Sequence, residues 1–141
     1  MADDVLLNKA ATIERCVARA REEYAAAQGH FATDFSRQDA AILNIQRACE
    51  AALDMGNHLV RRDKLGVPQG ARAVFDLLAQ AGWVDAALAS RLKHMVAFRN
   101  IAVHDYQSLQ LPITENVILH HLDDFTAFTR AVLLKDGAAS P

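Results

Sequence analysis

The feature that most constrains the fold is the spacing of apolar residues, which recur every three or four positions along almost the whole chain. No stretch shows the alternation that is typical of a half-buried strand, so the pattern is helical throughout. The longest stripe lies in the first helix and consists of Leu6, Ala10, Ile13, Val17, Ala20, Tyr24 and Ala27. One face of a long helix is therefore apolar, and Gly29 is the expected stop signal.

A second long helix is predicted to begin near Ser36 and to run to about Lys64. Either Asp34 or Ser36 can cap it, because short polar side chains accept hydrogen bonds from the free amides of the first turn. The following segment, residues 65–70, contains two glycines and one proline, which destabilise a helix. This segment is the clearest break in the chain.

Three shorter helices are predicted after the break. They are a short third helix, a fourth that starts after Asp85, and a last one capped by Thr114, with Ile113 and Ile118 as a hydrophobic staple. The tail from about residue 135 is predicted to be disordered. The expected architecture is all-α: an up-and-down bundle of about five helices, two long and then three shorter.

The composition is that of one globular domain, which we expect to span residues 1–141. The chain is 52% hydrophobic and 23% charged, a balance that excludes a disordered protein. No apolar run approaches the roughly 20 residues that span a bilayer, and the acidic N-terminus is unlike a secretory signal. Cys16 and Cys49 match no metal spacing, so we expect them to be small apolar residues in a reducing cytoplasm.

A formal net charge of −2 argues against bulk attraction to nucleic acid, although it leaves a local basic cleft open. The candidate basic residues lie at one helix end and beside the polar segment described below. They are Arg61, Arg62, Lys64, Arg91 and Lys93. The sequence alone does not decide between a shared basic cleft and a scattered, solvated set.

The alanine-rich stripe of the first helix also bears on the oligomeric state. Alanine lets helices approach closely, and a long amphipathic helix buries its apolar stripe against another helix, of the same chain or of a second copy. Two-fold self-association is the commonest outcome for a soluble chain of this kind. We therefore expect a homodimer.

One polar segment near the end of the fourth helix is the best candidate for chemistry. On a regular helix, Arg99 and Tyr106 are seven positions apart and share a face, while Asn100 and His104 form an adjacent stripe. Together they predict one broad polar strip. The same residues also fit a helix end at which Arg99 bonds the last carbonyls and His104 caps. Tyr106 also fits a core position with a bonded hydroxyl.

The spacing Arg99-x4-His104-x-Tyr106 resembles the R-x4-H-x-Y motif of HEPN-domain proteins, specifically that of the HepT-like toxins. The segments around the motif are also similar to that family and follow in its order, beginning with residues 45–58, which resemble its second helix. The similarity covers essentially the whole chain, from about residue 5 to residue 134.

The resemblance implies a helical homodimer that acts as a metal-independent endoribonuclease without a cofactor. It also implies a partner, an MNT-type nucleotidyltransferase antitoxin encoded beside the toxin. By position in the motif, Arg99 and His104 take the catalytic roles in a cleft at the dimer interface, with Asn100 in support. Tyr106 takes the role of acceptor for AMP groups that the antitoxin attaches to silence the toxin.

The side chains suit that chemistry, because RNA carries its own nucleophile in the 2′-hydroxyl. An imidazole titrates near neutrality, so His104 can take a proton as general base or return one to the leaving oxygen. The planar guanidinium of Arg99 suits the negative charge that develops on a phosphorane. Asn100 is a candidate to position the phosphate or the imidazole.

Two other functions are compatible with the same residues. A non-catalytic module would use the motif to hold a nucleotide while it forms a complex with a nucleotidyltransferase. A helical scaffold dimer would need no ligand. Toxicity that is relieved by His104→Ala fits only the ribonuclease.

Overall fold

The computed structural model describes residues 3–139, which form six α-helices and no strand. The helices are α1 (Asp4–Ala26), α2 (Phe35–Arg62), α3 (Ala71–Gln80), α4 (Ala86–His104), α5 (Leu111–His120) and α6 (Leu122–Ala139). Short 3₁₀ turns at Phe31–Thr33 and Tyr106–Ser108 precede α2 and α5. The all-α class is confirmed, with one helix more than the sequence predicted.

Aspartate side chains set the starts of three helices. Asp3 caps α1 by accepting from the amide of Val5 at 2.9 Å. Asp34 rather than Ser36 caps α2, and Asp85 caps α4 by accepting from the amide of Leu88 at 2.7 Å. Because an acceptor at this position satisfies an otherwise free amide, these boundaries could be predicted locally.

The last predicted helix is in fact two helices, and its predicted cap is wrong. Pro112 lies in the first turn of α5, where a missing amide proton costs nothing, so the helix begins before Thr114. Thr114 is therefore buried inside α5, and Ile113 is 49% exposed instead of forming a staple. The break comes at His121, whose φ of −124° leaves the helical region before α6 begins.

The helix α6 also continues further than the sequence predicted. The disordered tail was expected from about residue 135, yet the helix extends to Ala139. The carboxylate of Asp136 accepts from Nη1 of Arg62 at 2.9 Å, which ties this last turn to the end of α2. Residues 140 and 141 lie outside the described part of the chain.

The core forms where α1 packs along α2 and where α3, α4 and α6 close over them. The rings of Phe75 and Phe128 meet edge to face at 5.6 Å, which joins α3 to α6. At Gly56 a Cβ atom would lie 2.6 Å from Val74 Cγ1, so glycine lets α2 and α3 approach closely. No helix within residues 3–139 has the length and apolar character needed to cross a membrane.

The apolar stripe of α1 is satisfied inside one chain. Leu6, Ile13 and Ala20 are fully buried, mostly against α2. A second copy is therefore not needed to cover this stripe, and the reason given above for a dimer is wrong.

Candidate functional site

The polar segment lies at the C-terminal end of α4, where that helix packs against α2. His104 is the last residue of the helix, and Asp105 leaves it with φ −151° and ψ 55°. Tyr106 then begins a 3₁₀ turn. The helical spacing that would place Tyr106 on one face with Arg99 therefore stops two residues short of Tyr106, and that prediction is wrong.

Arg99 is held against α2, but one of its three guanidinium nitrogens has no hydrogen-bond acceptor among the described residues. Its Nη2 donates to Glu50 Oε2 at 3.3 Å, and its Nη1 donates to Asn100 Oδ1 at 3.1 Å. The Nε atom is shielded from solvent and has no acceptor among the described residues. An unmet buried donor is unfavourable, by about 1–3 kcal/mol, so a ligand oxygen that reached this atom would bind favourably.

His104 and Asn100 are both exposed at this helix end. Asn100 bonds Arg99 and not the imidazole, so its role in the described structure is to hold the guanidinium. Within residues 3–139 the His104 ring makes no hydrogen bond, and Arg99 bonds none of the last carbonyls of α4. These two facts argue against a purely structural helix-end cluster.

Tyr106 is neither a core residue nor a free surface residue. Its side chain is 42% exposed, and its hydroxyl donates to Oδ1 of Asp39 on α2. Burial, together with the hydrogen bond to Asp39 and its negative charge, raises the pKa of Tyr106 to about 12. The hydroxyl therefore stays protonated near neutral pH and is paired with a carboxylate.

Arg99 and Tyr106 contact the same face of α2 at two different positions along its axis. Their partners Glu50 and Asp39 are eleven residues apart, which is three helical turns, or about 16 Å along the axis. Sequence reasoning missed both acidic residues. The available signal was that α2 carries two acids on one face, although nothing local shows which residues of α4 meet them.

Large apolar side chains lie exposed around these polar groups. Phe35 on α2 is 72% exposed, and Leu43 on the same face of α2 is also exposed. Val103, one turn after Arg99, is exposed as well. Apolar side chains grouped on one surface with polar ones are typical of an interface.

Three of the five candidate basic residues are held in separate ion pairs instead of lining one cleft. Arg91 pairs with Asp124 at 2.8 Å, and Lys93 pairs with Asp76 at 3.0 Å. Arg62 is paired with carboxylates at the far end of α2. For these three residues the scattered alternative is correct, which leaves Arg99 as the cation of the polar segment.

The described residues support neither a cysteine nucleophile nor a metal site. Cys16 and Cys49 are buried free cysteines, as expected for small apolar residues. Burial raises the pKa of the Cys49 thiol to about 12, so it is not a ready nucleophile. Within residues 3–139, no three side chains of the histidine, cysteine or acidic type lie close enough to hold a metal ion.

Comparison with known proteins identifies the family of this chain. Residues 13–132 match the family model described as Ribonuclease HepT-like. The mRNA nuclease HepT of Shewanella oneidensis is 48% identical to this chain over 126 residues, which is 89% of this chain and 94% of the relative.

Two solved structures share both the fold and the sequence. One is the tri-AMPylated HEPN toxin of Shewanella oneidensis in complex with its MNT antitoxin. It has a TM-score of 0.88 and 46% identity, covering 93% of this chain and 98% of that one. The other is a toxin–antitoxin complex with AMP-PNP, with a TM-score of 0.87, 46% identity, and coverage of 93% and 99%. The resemblance found in the sequence is thus confirmed, and the chain belongs to the ribonuclease HepT-like family.

Proposed function

We propose that this chain is the toxin of a HEPN/MNT toxin–antitoxin pair, a metal-independent endoribonuclease that an MNT-type nucleotidyltransferase silences by attaching AMP to Tyr106. One observation carries the proposal: within residues 3–139, a guanidinium with an unmet buried donor lies at the same helix end as an exposed imidazole that has no hydrogen-bond partner. These are the two groups that cleavage of RNA by its own 2′-hydroxyl requires.

In the proposed reaction, the 2′-oxygen attacks the adjacent phosphorus and the bond from phosphorus to the 5′-oxygen breaks. The proton of the 2′-hydroxyl goes to an imidazole, and an imidazolium returns a proton to the leaving 5′-oxygen. His104 fits these roles because it is exposed and its ring nitrogens are not occupied by other described residues. The upstream product ends in a cyclic phosphate, which water then opens to a 3′-phosphate.

Arg99 stabilises the additional negative charge that the pentacoordinate phosphorus carries. Its position is fixed before RNA binds, because Glu50 and Asn100 each hold one terminal nitrogen. A donor that is already oriented needs little reorganisation during the reaction, which is the main source of electrostatic catalysis. Asn100 therefore supports catalysis by positioning the guanidinium.

The proposal includes a homodimer in which Arg99 and His104 of both copies face one cleft. A single chain offers one imidazole at this site, whereas the reaction uses a base and an acid. The exposed apolar residues beside the site, Phe35 and Val103 among them, support an interface here.

AMP on Tyr106 would silence the toxin by local charge and bulk. Each AMP group adds a negative phosphate and a nucleoside on the face of α2 that Arg99 also contacts. Such a group competes with an RNA phosphate for the same surface without unfolding the chain. The AMPylated Shewanella oneidensis toxin in complex with its MNT antitoxin supports this part of the proposal.

The direct test is cleavage of RNA by the wild type and by His104→Ala, each with and without EDTA. We expect the wild type to cleave equally well in EDTA and to leave cyclic phosphate or 3′-phosphate ends. The variant should lose at least about 10²-fold in rate. An Asn57→Ala variant, altered on α2 away from the motif, serves as the matched control.

The same preparations report the oligomeric state by light scattering. A dimer is expected, and a monomer that still cleaves RNA would contradict the shared cleft. Loss of activity in EDTA, or equal cleavage of DNA, would contradict the mechanism. A chain that binds its nucleotidyltransferase but never cleaves RNA would instead be the non-catalytic binding module.

A further inference from the structure

The hydroxyl of Tyr106 meets a carboxylate at the edge of a small recess. Asp39 accepts its hydrogen bond from α2, across the junction with the 3₁₀ turn that carries the tyrosine. We propose that Asp39 is the general base for AMP transfer to Tyr106, so that the toxin itself supplies the group that activates its own acceptor. This inference rests on the proposed function, because it concerns the chemistry of the same tyrosine.

The surroundings of Tyr106 leave Asp39 as the proton acceptor. The recess has a volume of about 190 Å³ between α2, the 3₁₀ turn and the start of α5. Four of its lining residues are apolar, namely Phe35, Ile42, Leu109 and Leu111. Of the eight residues that line it, only Asp39 and Tyr106 are titratable. No second acid, histidine or lysine lines this recess to exchange a proton with the phenol.

The acceptor needs a base because its hydroxyl is a poor nucleophile by itself. Partial burial, with the hydrogen bond to Asp39 and its charge, raises the pKa of Tyr106 to about 12. At pH 7 a group with that pKa is ionised in roughly one molecule in 10⁵. The reaction therefore has to remove the proton during the transfer instead of waiting for free phenolate.

The proposed step balances in atoms and charge. The Tyr106 oxygen forms a bond to the α-phosphorus of ATP, and the bond from that phosphorus to the oxygen of pyrophosphate breaks. Pyrophosphate leaves with the electron pair, and the hydroxyl proton passes to Oδ1 of Asp39 and later to water. In kinases, likewise, an aspartate accepts the proton of the attacking hydroxyl as the phosphoryl group is transferred.

The geometry also gives a partner enzyme access to both groups. Asp39 is exposed, and Tyr106 keeps a large exposed fraction, so a nucleotide held by another protein can approach the hydroxyl from solvent. Because Asp39 is exposed, the proton that it takes can pass on to water once the transfer is complete.

The experiment separates this role from a purely structural hydrogen bond. Asp39→Asn keeps an oxygen that accepts from the Tyr106 hydroxyl but cannot take its proton. Asp54→Asn is the matched control, since Asp54 is an exposed aspartate on the same helix and pairs only with Lys9 among the described residues. Asp39→Glu restores a carboxylate and tests rescue.

Each purified variant is incubated with ATP and the nucleotidyltransferase encoded beside the chain, and AMP on Tyr106 is timed by mass spectrometry. We expect Asp39→Asn to slow the transfer by about 100-fold, Asp39→Glu to recover part of the rate, and Asp54→Asn to match the wild type. The ratio of wild-type to Asp39→Asn rates should fall as pH rises from about 7 to about 9, because phenolate then forms without a base. This ratio cancels the pH dependence of the nucleotidyltransferase.

Three results would overturn the inference. An adduct that forms on Tyr106 equally fast in Asp39→Asn contradicts it alone and leaves the proposed function intact. A slow Asp39→Asn whose ratio to the wild type does not change with pH, with no recovery in Asp39→Glu, shows a structural role only. Absence of AMP from Tyr106 of the wild type contradicts the silencing mechanism in the proposed function and the inference with it.

Discussion

Two clusters in this protein are built from the same residue types, an arginine and a histidine near the end of a helix, and they differ in how fully they are bonded. At the end of α2, every nitrogen of the Arg62 guanidinium has an acceptor. His58 Nε2 lies 2.7 Å from Asp3, and the guanidinium also covers the ring of Trp83 at 5.7 Å. This cluster joins the start of α1 to the ends of α2 and α6.

The cluster at the end of α4 is arranged differently. Arg99 has two nitrogens bonded and one buried nitrogen without an acceptor, and His104 makes no hydrogen bond among the described residues. A cluster in which every donor has an acceptor gains no hydrogen bond from a ligand. A cluster with an unmet donor gains one when a phosphate binds. Unmet hydrogen-bonding capacity, and not residue type, therefore distinguishes the candidate site from a structural cluster.

Exchanging the two arginines for alanine tests this difference most strongly. Arg99→Ala should lower the RNA cleavage rate by about 10²–10³-fold with little change in the free energy of unfolding. Arg62→Ala should leave cleavage by the folded protein unchanged but lower the free energy of unfolding by about 2 kcal/mol, because it removes the guanidinium that bonds the carboxylates of Asp3, Asp63 and Asp136. Urea unfolding and cleavage are measured on the same samples. A folded Arg62→Ala that loses as much cleavage as Arg99→Ala would contradict the distinction.

The pH dependence of the free energy of unfolding tests the structural role of the cluster at the end of α2, with a smaller expected effect. Burial raises the pKa of Asp3, but hydrogen bonds from His58 and Arg62 outweigh it and lower the pKa from 3.8 to about 2. A depressed carboxyl pKa stabilises the fold above 3.8, and this contribution is lost as the pH falls towards about 2. Asp3→Asn keeps a capping side chain but not the charge. The free energy of unfolding of the wild type should therefore exceed that of Asp3→Asn near pH 5, with the difference shrinking on acidification. A constant difference would show that the cluster is not charge-dependent.

The fold class and several helix boundaries could be predicted from the sequence, because both depend on residues that are close together in the chain. The apolar period gave the all-α class, and the capping aspartates marked the starts of helices such as α2 and α4. The break at His121 was missed because helical spacing continues on both sides of it. The position of Tyr106 was missed because α4 ends before it, and its hydroxyl bonds a residue 67 positions away. The partner of Arg99, 49 positions away, was missed for the same reason.

The catalytic roles of Arg99 and His104 stay a prediction that rests on the spacing of a known motif. That spacing names the two residues but says nothing of their hydrogen-bond partners. Whether every nitrogen of a guanidinium has an acceptor depends on side chains from distant elements, so this could not be predicted for Arg62 or Arg99. The choice between a basic cleft and scattered cations likewise depends on ion pairs between distant residues, such as Arg91 with Asp124.

The most direct test of whether Arg99 Nε binds an RNA phosphate follows the arginine Nε–H resonances by NMR while an RNA is added. The RNA carries 2′-O-methyl groups, so that its nucleophile is blocked and the complex persists. We expect the Nε–H resonance of Arg99 to shift as this atom gains a phosphate acceptor, whereas that of Arg62, already bonded to Asp63 at 2.8 Å, stays in place. A bound RNA that leaves the Arg99 resonance unchanged, or that shifts Arg62 instead, would contradict it.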